Sequence, residues 1–306
     1  MLIGHHQQWQ FLKKSAESGE LAHAYLFCGQ EKLGKKTLAL ELAKLLKCEK
    51  NQKNGPCQQC FSCRQVEKKI HPDLIFIEPD PEKKEIVIGQ IRNLCWKLSL
   101  TPNSGLFKIA IIDRAHLMNE EAQTCLLKTL EEPPGQSILI LITEYPESIQ
   151  PTILSRLQRI KFYPVGKKEM ASCLEKNKIS QKETAEIIDF SFGCPGRALD
   201  FAVNPRKLKE REKIIADLNK VLASDITGRF QYARSLSQSP GGAKEILDTW
   251  LNYLRNMLIF SLNKPTFKYP AAKMANMINL VQNTNFLLSS TNINVRLALE
   301  VMMLDF

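Results

Sequence analysis

Two stretches carry residue types and spacings that could do chemistry. The first, GQEKLGKKT over residues 29–37, is one residue away from a phosphate-binding loop. Gly29 and Gly34 would let backbone N–H groups approach phosphate oxygens. Lys35 would open a helix whose N-terminal dipole favours an anion. The pattern asks for a hydroxyl after the lysine to hold Mg²⁺, and Lys36 stands there instead. Thr37 comes one residue late; a helix turns about 100° per residue, so its hydroxyl is expected to point elsewhere. A second departure follows the run KIAIID (108–113), which ends in Asp113 and continues with Arg114, where an ATPase would carry a carboxylate to orient water. Asp113 could still hold a metal or cap the strand. Losses at both the metal and the base position are hard to reconcile with a working hydrolase, yet the loop's architecture survives. Phosphate binding by Lys35 and Lys36 without hydrolysis, and a plain strand-to-helix turn, both stay open, so the sequence leaves ATP binding by this chain undecided.

The second stretch is CEKNQKNGPCQQCFSC, in which Cys48, Cys57, Cys60 and Cys63 give C-x8-C-x2-C-x2-C. Four thiolates so spaced can close tetrahedrally around Zn²⁺, with Gly55 and Pro56 turning the chain back. Four protein ligands leave no open position, so a zinc ion here is expected to be structural. An iron–sulfur cluster, whose ferredoxin-type cysteine-proline is missing, and metal-free thiols are the alternatives. Cys28, Cys95, Cys125, Cys173 and Cys194 lie in apolar or helical settings and are expected to be small buried hydrophobes. His71, before Pro72, belongs to a turn that starts the next strand.

These residues need a scaffold. AYLFC (24–28), DLIFIEP (73–79), KIAIID (108–113) and SILILIT (137–143) are near-continuously apolar, as strands of a parallel sheet covered on both faces should be. Amphipathic stretches at 35–47, 88–98 and 120–132 alternate with them, which predicts an α/β domain whose ligands bind beyond the carboxyl ends of the strands. After RIKFYPV (159–165) helical patterns take over: a small group to about residue 205, then a longer block. In that block Trp250, Leu251, Leu254, Met257 and Leu258 follow helical spacing and are expected to pack. SQSPGGAKE (237–245) reads as a turn.

The chain has 306 residues, 44% hydrophobic and 24% charged, which excludes a disordered or fibrous protein. No apolar run is long enough to span a bilayer and the first ten residues lack the apolar core of a signal peptide, so a cytoplasmic location is expected. A net charge of +10 is compatible with an anionic partner such as nucleic acid and equally with a solvated surface.

HAYLFCG (23–29), the cysteine insertion, HPD (71–73), IIDRAH (111–116), LLKTLEEPP (126–134), TILSRLQRIKF (152–162) and GCPGRAL (193–199) occur in this order. Together they resemble the delta-prime subunits of the bacterial DNA polymerase III clamp loader, within the AAA+ superfamily. The resemblance runs over essentially the whole chain. It implies a RecA-like AAA+ domain over 1–164 with a zinc module at 48–63, a helical lid over 165–205 and a helical collar for oligomerisation over 206–306. It further implies a subunit of a pentamer that loads the sliding clamp on primed DNA as part of the polymerase holoenzyme. Such a subunit lacks its own ATPase and offers an arginine finger to its neighbour's ATP. The family's serine-arginine-cysteine motif is Ser155, Arg156 and Leu157 here, so Arg156 would be the finger. Arg197 would match the second sensor and Thr143 the first. LLKTLEEPP carries no chemistry on this view: Leu126, Leu127 and Leu130 pack, Glu131 and Glu132 are solvated, and Pro133 and Pro134 end the helix. The implied partners are the gamma/tau and delta subunits, the clamp through the assembled loader, and primer-template DNA contacted without regard to sequence. An active gamma- or tau-like motor and a zinc-dependent DNA-binding protein are the rival readings.

Overall fold

The computed structural model describes residues 2–50, 55–176, 181–238, 240–262, 270–290 and 293–306. Residues 51–54 of the cysteine insertion and Ser239 of the expected turn lie outside that set. The chain divides into two compact units, Met1–Cys173 with Gly193–Arg197, and Leu174–Phe192 with Ala198–Phe306.

The first unit is built on a five-stranded, all-parallel sheet. Its elements are α1 (His6–Ser18), β1 (Ala24–Cys28), α2 (Lys35–Lys47), α3 (Phe61–Glu67), β2 (Leu74–Ile77), α4 (Ile88–Ser99), β3 (Lys108–Ile112), α5 (Glu120–Glu131), β4 (Ser137–Thr143), α6 (Pro151–Leu154), β5 (Gln158–Lys161) and most of α7 (Lys167–Lys176). The strands lie in the order β2-β3-β4-β1-β5. Alternation along each strand sorts the core into two layers. Ala24, Leu26, Ala110, Ile112, Leu139 and Leu141 face one side, packing with Leu94 and Leu98 of α4 and Leu126 and Leu130 of α5. Tyr25, Phe27, Ile109, Ile111, Ile138 and Ile140 face the other, with Leu12 of α1, Leu38 and Leu42 of α2 and Val66 of α3. Both faces are covered, which is why the strands read as continuous apolar runs. The edge strand β5 buries Ile160 and exposes Arg159 and Lys161, a short charged edge that resists further strand pairing.

At the amino-terminal end of the sheet, Lys47 meets the fully buried carboxylate of Asp73 at 2.8 Å. Asp73 also accepts from the Asn103 and Ser104 amides at 2.7 and 2.9 Å. Burial alone would raise this carboxyl; Lys47 and the two amides outweigh it and pull it down to about 2. His71 is buried at the turn into β2, its Nδ1 accepting the Asp73 N–H at 3.1 Å.

The second unit is helical, with α8 (Gln181–Ser191), most of α9 (Pro195–Val203), α10 (Pro205–Ala223), α11 (Ile226–Ser237), α12 (Pro240–Leu262), α13 (Ala271–Ser290) and α14 (Val295–Leu304). Its core centres on Trp250, fully buried and packed with Leu247, Leu254, Met277 and Met303. Trp250 stacks on Tyr232 at 5.7 Å and donates its indole N–H to the Ile214 carbonyl at 3.3 Å. Leu251, Leu254, Met257 and Leu258 join Trp250 in this core. The expected turn at 237–245 is shorter than its composition suggests, because α12 already begins at Pro240. A proline in the first helical turn loses no hydrogen bond and arrives with its φ pre-set, so Gly241 and Gly242 are helical.

Candidate functional site

The loop over 29–34 leaves the carboxyl end of β1 and runs into α2. Gly29 donates its N–H to the Thr143 carbonyl at 3.2 Å, tying the loop to β4. Its φ is +150°, and a Cβ there would sit 2.6 Å from the Phe162 carbonyl oxygen, so only glycine fits. Gly34, with φ +101°, turns the chain into the helix. Lys35 is 6% exposed. Its ammonium folds back onto the loop, donating to the Gly29 carbonyl and, at 2.5 Å, to that of Gln30. Burial pushes its pKa down, against the pull of Glu144, Asp113 and Glu31.

Lys36 points to the neighbouring strand ends. Its ammonium donates to Glu78 at 2.6 Å and to Asp113 at 3.1 Å. Strand register explains the geometry: Ile77 of β2 lies beside Ile112 of β3, so the next residues, Glu78 and Asp113, emerge side by side. Phe76 adds its ring face at 4.7 Å, and Lys69 reaches the same Glu78 at 3.4 Å. Burial would lower the Lys36 pKa, but Glu78 and Asp113 outweigh it and raise it. For Glu78 burial works upward, and Lys36 brings the net shift down. Arg114 adopts a left-handed backbone and pairs with Glu31 of the loop at 2.9 Å. Each departure from the ATPase pattern is thus matched by a carboxylate, Lys36 by Glu78 and Asp113 and Arg114 by Glu31. Thr37 faces away, lining a cleft with Leu40, Glu41, Lys44 and Gln58.

Thr143 is buried at the end of β4, its hydroxyl 3.2 Å from His116 Nδ1 and accepting the Tyr145 N–H at 3.0 Å. Gly196 donates to the Lys32 carbonyl at 2.9 Å, which brings the start of α9, and with it Arg197, against the phosphate loop. Glu78 and Glu31 were not among the expected site residues. The carboxylate ending IFIE at β2 mirrors the one ending IAIID at β3, a signal that becomes readable once the two strands are known to be neighbours.

Arg156 lies apart from this group, just beyond α6. Nη1 donates to the Thr152 carbonyl at 2.7 Å and to the Ser155 hydroxyl at 3.3 Å, and Nη2 to Glu131 at 2.8 Å. The side chain is 36% exposed. Glu131 is exposed, as expected, and as the last residue of α5 it also meets the Arg156 guanidinium. Leu157, in place of the family's cysteine, packs against the core below.

The thiols of Cys48, Cys57, Cys60 and Cys63 converge, their sulfur atoms all within 4.8 Å of one another. Tetrahedral Zn²⁺ with Zn–S bonds of about 2.3 Å needs sulfurs about 3.8 Å apart, and Cys57 and Cys63 are 4.0 Å apart. Amide N–H groups already point at the sulfurs: Cys57 at Cys48 (3.4 Å), Cys60 at Cys57 (3.3 Å) and Cys63 at Cys60 (3.3 Å). Those amides suit thiolates, and four thiolates this close need a shared cation, so the residues fit a tetrahedral divalent metal. Such an ion would be held by all four sulfurs and would fix the loop to α3, whose N-cap is Cys60. Lys44, buried beside this module, ties Glu41, Gln58 and Glu67 together. Of the other cysteines, Cys28 and Cys194 are buried as expected, while Cys95, Cys125 and Cys173 are only partly so.

The model of the family described as DNA polymerase III, delta subunit, matches residues 4–166, more than half of the chain. The chain belongs to this family. A DNA polymerase III subunit delta' of Pseudomonas aeruginosa is 38% identical over 44% of this chain and 41% of its own length. That of Bacillus subtilis is 34% identical over 67% of this chain and 61% of its own. A subunit tau of Bacillus subtilis is 31% identical over 65% of this chain and 34% of its own. The matched region therefore spans less than two thirds of each relative. This family member carries a five-stranded parallel sheet, a helical C-terminal part and a four-cysteine cluster. Among the described residues no helix is long and apolar enough to cross a membrane.

Proposed function

We propose that this chain is an ATPase-silent clamp-loader subunit that completes the loader ring and presents Arg156 to the ATP of a neighbouring subunit. The observation that carries the silent half is the Lys36 ammonium set between Glu78 and Asp113, 2.6 and 3.1 Å away. A hydrolytic site needs a divalent ion at that point and a carboxylate after Asp113; this one has its own cation and Arg114. Supporting the second half, Arg156 is about a third exposed and carries a planar, permanently charged fork suited to a phosphoryl group in its transition state. Ser155 orients it; Gly29, Gly34, Lys35, Lys36, Thr37, Asp113 and Arg197 are the remnant of the nucleotide site. The zinc ion, held by Cys48, Cys57, Cys60 and Cys63, is structural. We take 1–164, 165–205 and 206–306 as AAA+ domain, lid and collar, the gamma/tau and delta subunits as partners in the cytoplasm, and primer-template DNA as a sequence-independent ligand of the assembly.

The test is clamp- and DNA-stimulated hydrolysis by a loader reconstituted from the cognate ATPase subunits with wild-type chain or Arg156→Ala. A large fall with the assembly intact is expected, and equal rates would remove Arg156 from the mechanism. The tau-like match motivates the rival reading of an active motor. Mg²⁺-dependent hydrolysis by the isolated chain, abolished in Lys35→Ala, would establish that rival.

A further inference from the structure

We infer that Glu131 is the positioning residue of Arg156, fixing the guanidinium plane in the orientation in which a neighbour's nucleotide meets it. This rests on the trans role proposed for Arg156. The argument starts from helix length: α6 has four residues, too few to hold a shape by its own hydrogen bonds, so its direction must be imposed from outside. Helix α5 imposes it. That helix is itself anchored, its N-cap Asn119 accepting the Ala122 N–H at 2.9 Å.

Two polar side chains of α5 grip the 148–156 segment at either end. Gln123, 6% exposed, donates to the carbonyls of Met118 and Ser148 at 3.1 and 3.2 Å. Its amide oxygen accepts the N–H of Gln150, the N-cap of α6, at 2.8 Å. At the far end Glu131 takes Nη2 of Arg156 at 2.8 Å. Between these grips Leu126 and Leu130 pack in one cluster with Ile149 and Ile153, and Leu154 and Leu157 join its rim. Arg156 is thereby mounted on α5 rather than on its own short helix.

The guanidinium has acceptors on both terminal nitrogens, Thr152 and Ser155 on Nη1 and Glu131 on Nη2. Contacts on both arms of the fork define its plane, and with five donors it retains N–H bonds for a phosphate. It also keeps its charge, because arginine does not lose its proton to a carboxylate. An exposed pair of this kind adds little to folding. Its value lies in restricting a long, rotamer-rich side chain before the partner arrives, so that less order has to be created at the moment of reaction.

A double-mutant cycle in the reconstituted loader tests this, comparing wild type, Glu131→Ala, Arg156→Ala and the pair, with Glu131→Gln as the variant that keeps the acceptor oxygen. Glu131→Ala is expected to lower kcat about fivefold at unchanged KM for ATP, with melting temperature and assembly unaltered. Glu131→Gln should retain most of the rate. In the Arg156→Ala background the Glu131 change should cost nothing further, since a positioning residue has nothing left to position. A wild-type rate for Glu131→Ala beside a clear fall for Arg156→Ala overturns this inference alone. Additive losses overturn it too, placing Glu131 in a separate task. No fall for Arg156→Ala removes the trans role and the positioning with it.

Discussion

Lys36 shows how one ammonium can hold two strand-end carboxylates together. Glu78 and Asp113 project side by side from adjacent parallel strands, and two carboxylates so placed repel unless something positive lies between them. A divalent ion would need a hydroxyl or water ligands from α2; an ammonium on a four-carbon stem needs only to reach. In Lys36→Thr the carboxylates should again want a cation, so Mg²⁺ or Mn²⁺ should raise the melting temperature of that variant and leave the wild type unmoved. A wild-type melting temperature that responded equally to Mg²⁺ would show that Lys36 does not take the ion's place. Hydrolysis is not expected to return even in Lys36→Thr with Arg114→Glu, because Lys35 is spent on loop carbonyls and the Thr143 hydroxyl is engaged by His116 and Tyr145. Phosphate release that scaled with the double variant's concentration would show that those two groups readjust freely when nucleotide enters.

At the scale of elements, the segment from α2 to β2 holds two fastenings, the cysteine cluster and the Lys47–Asp73 pair, and they begin on consecutive residues, Lys47 and Cys48. Chelation of the proposed zinc, or Cys60→Ser, should release α3, whose seven residues are too few to persist alone; zinc content near one per chain and lost helicity on chelation would be the readouts. The buried pair sets an acid limit. Asp73 has a folded pKa of about 2, below its unfolded value, so its contribution is complete above about pH 5 and disappears as pH falls from about 4 to 2. At neutral pH that contribution is on the order of 2 kcal/mol. Lys47→Met, which strands a buried carboxylate, should cost about 3–5 kcal/mol by urea titration and shift acid unfolding to higher pH; a loss below 1 kcal/mol would mean that the two amides suffice. The continuous apolar strands and α2, α4 and α5 were legible in the sequence because burial on both faces leaves an unmistakable pattern. Helix α1 was not: its run is polar and only Leu12 is fully buried. Nor was the Arg156–Glu131 pair, whose members are separated by a whole strand and meet only once α5 and α6 are packed.

At the scale of the whole molecule, the proposed place in a loader ring asks which surface would meet a neighbour. Helix α14 buries Leu299, Met302 and Met303 against the core of the second unit, while Leu297, Val301 and Leu304 stand 60%, 55% and 52% exposed. Their spacing, four residues and then three, lines them along one face. Three large apolar side chains in a row on water are a poor use of surface unless something covers them. On the collar role and partners proposed above, the occupant would be the corresponding helical region of a gamma/tau or delta subunit. Such an interface has a particular energetic signature: because the stripe is solvated in the isolated chain, charging it should leave folding almost untouched, whereas in the assembly each buried charge would have to be desolvated without a partner. Leu297→Asp with Val301→Asp is therefore expected to keep the wild-type melting temperature and circular dichroism while the chain elutes separately from the gamma/tau and delta subunits on size exclusion. A loader that assembled normally around the doubly charged helix would place the ring contacts on another face. A variant that failed to fold would show that α14 lies deeper in its own unit than these exposures indicate.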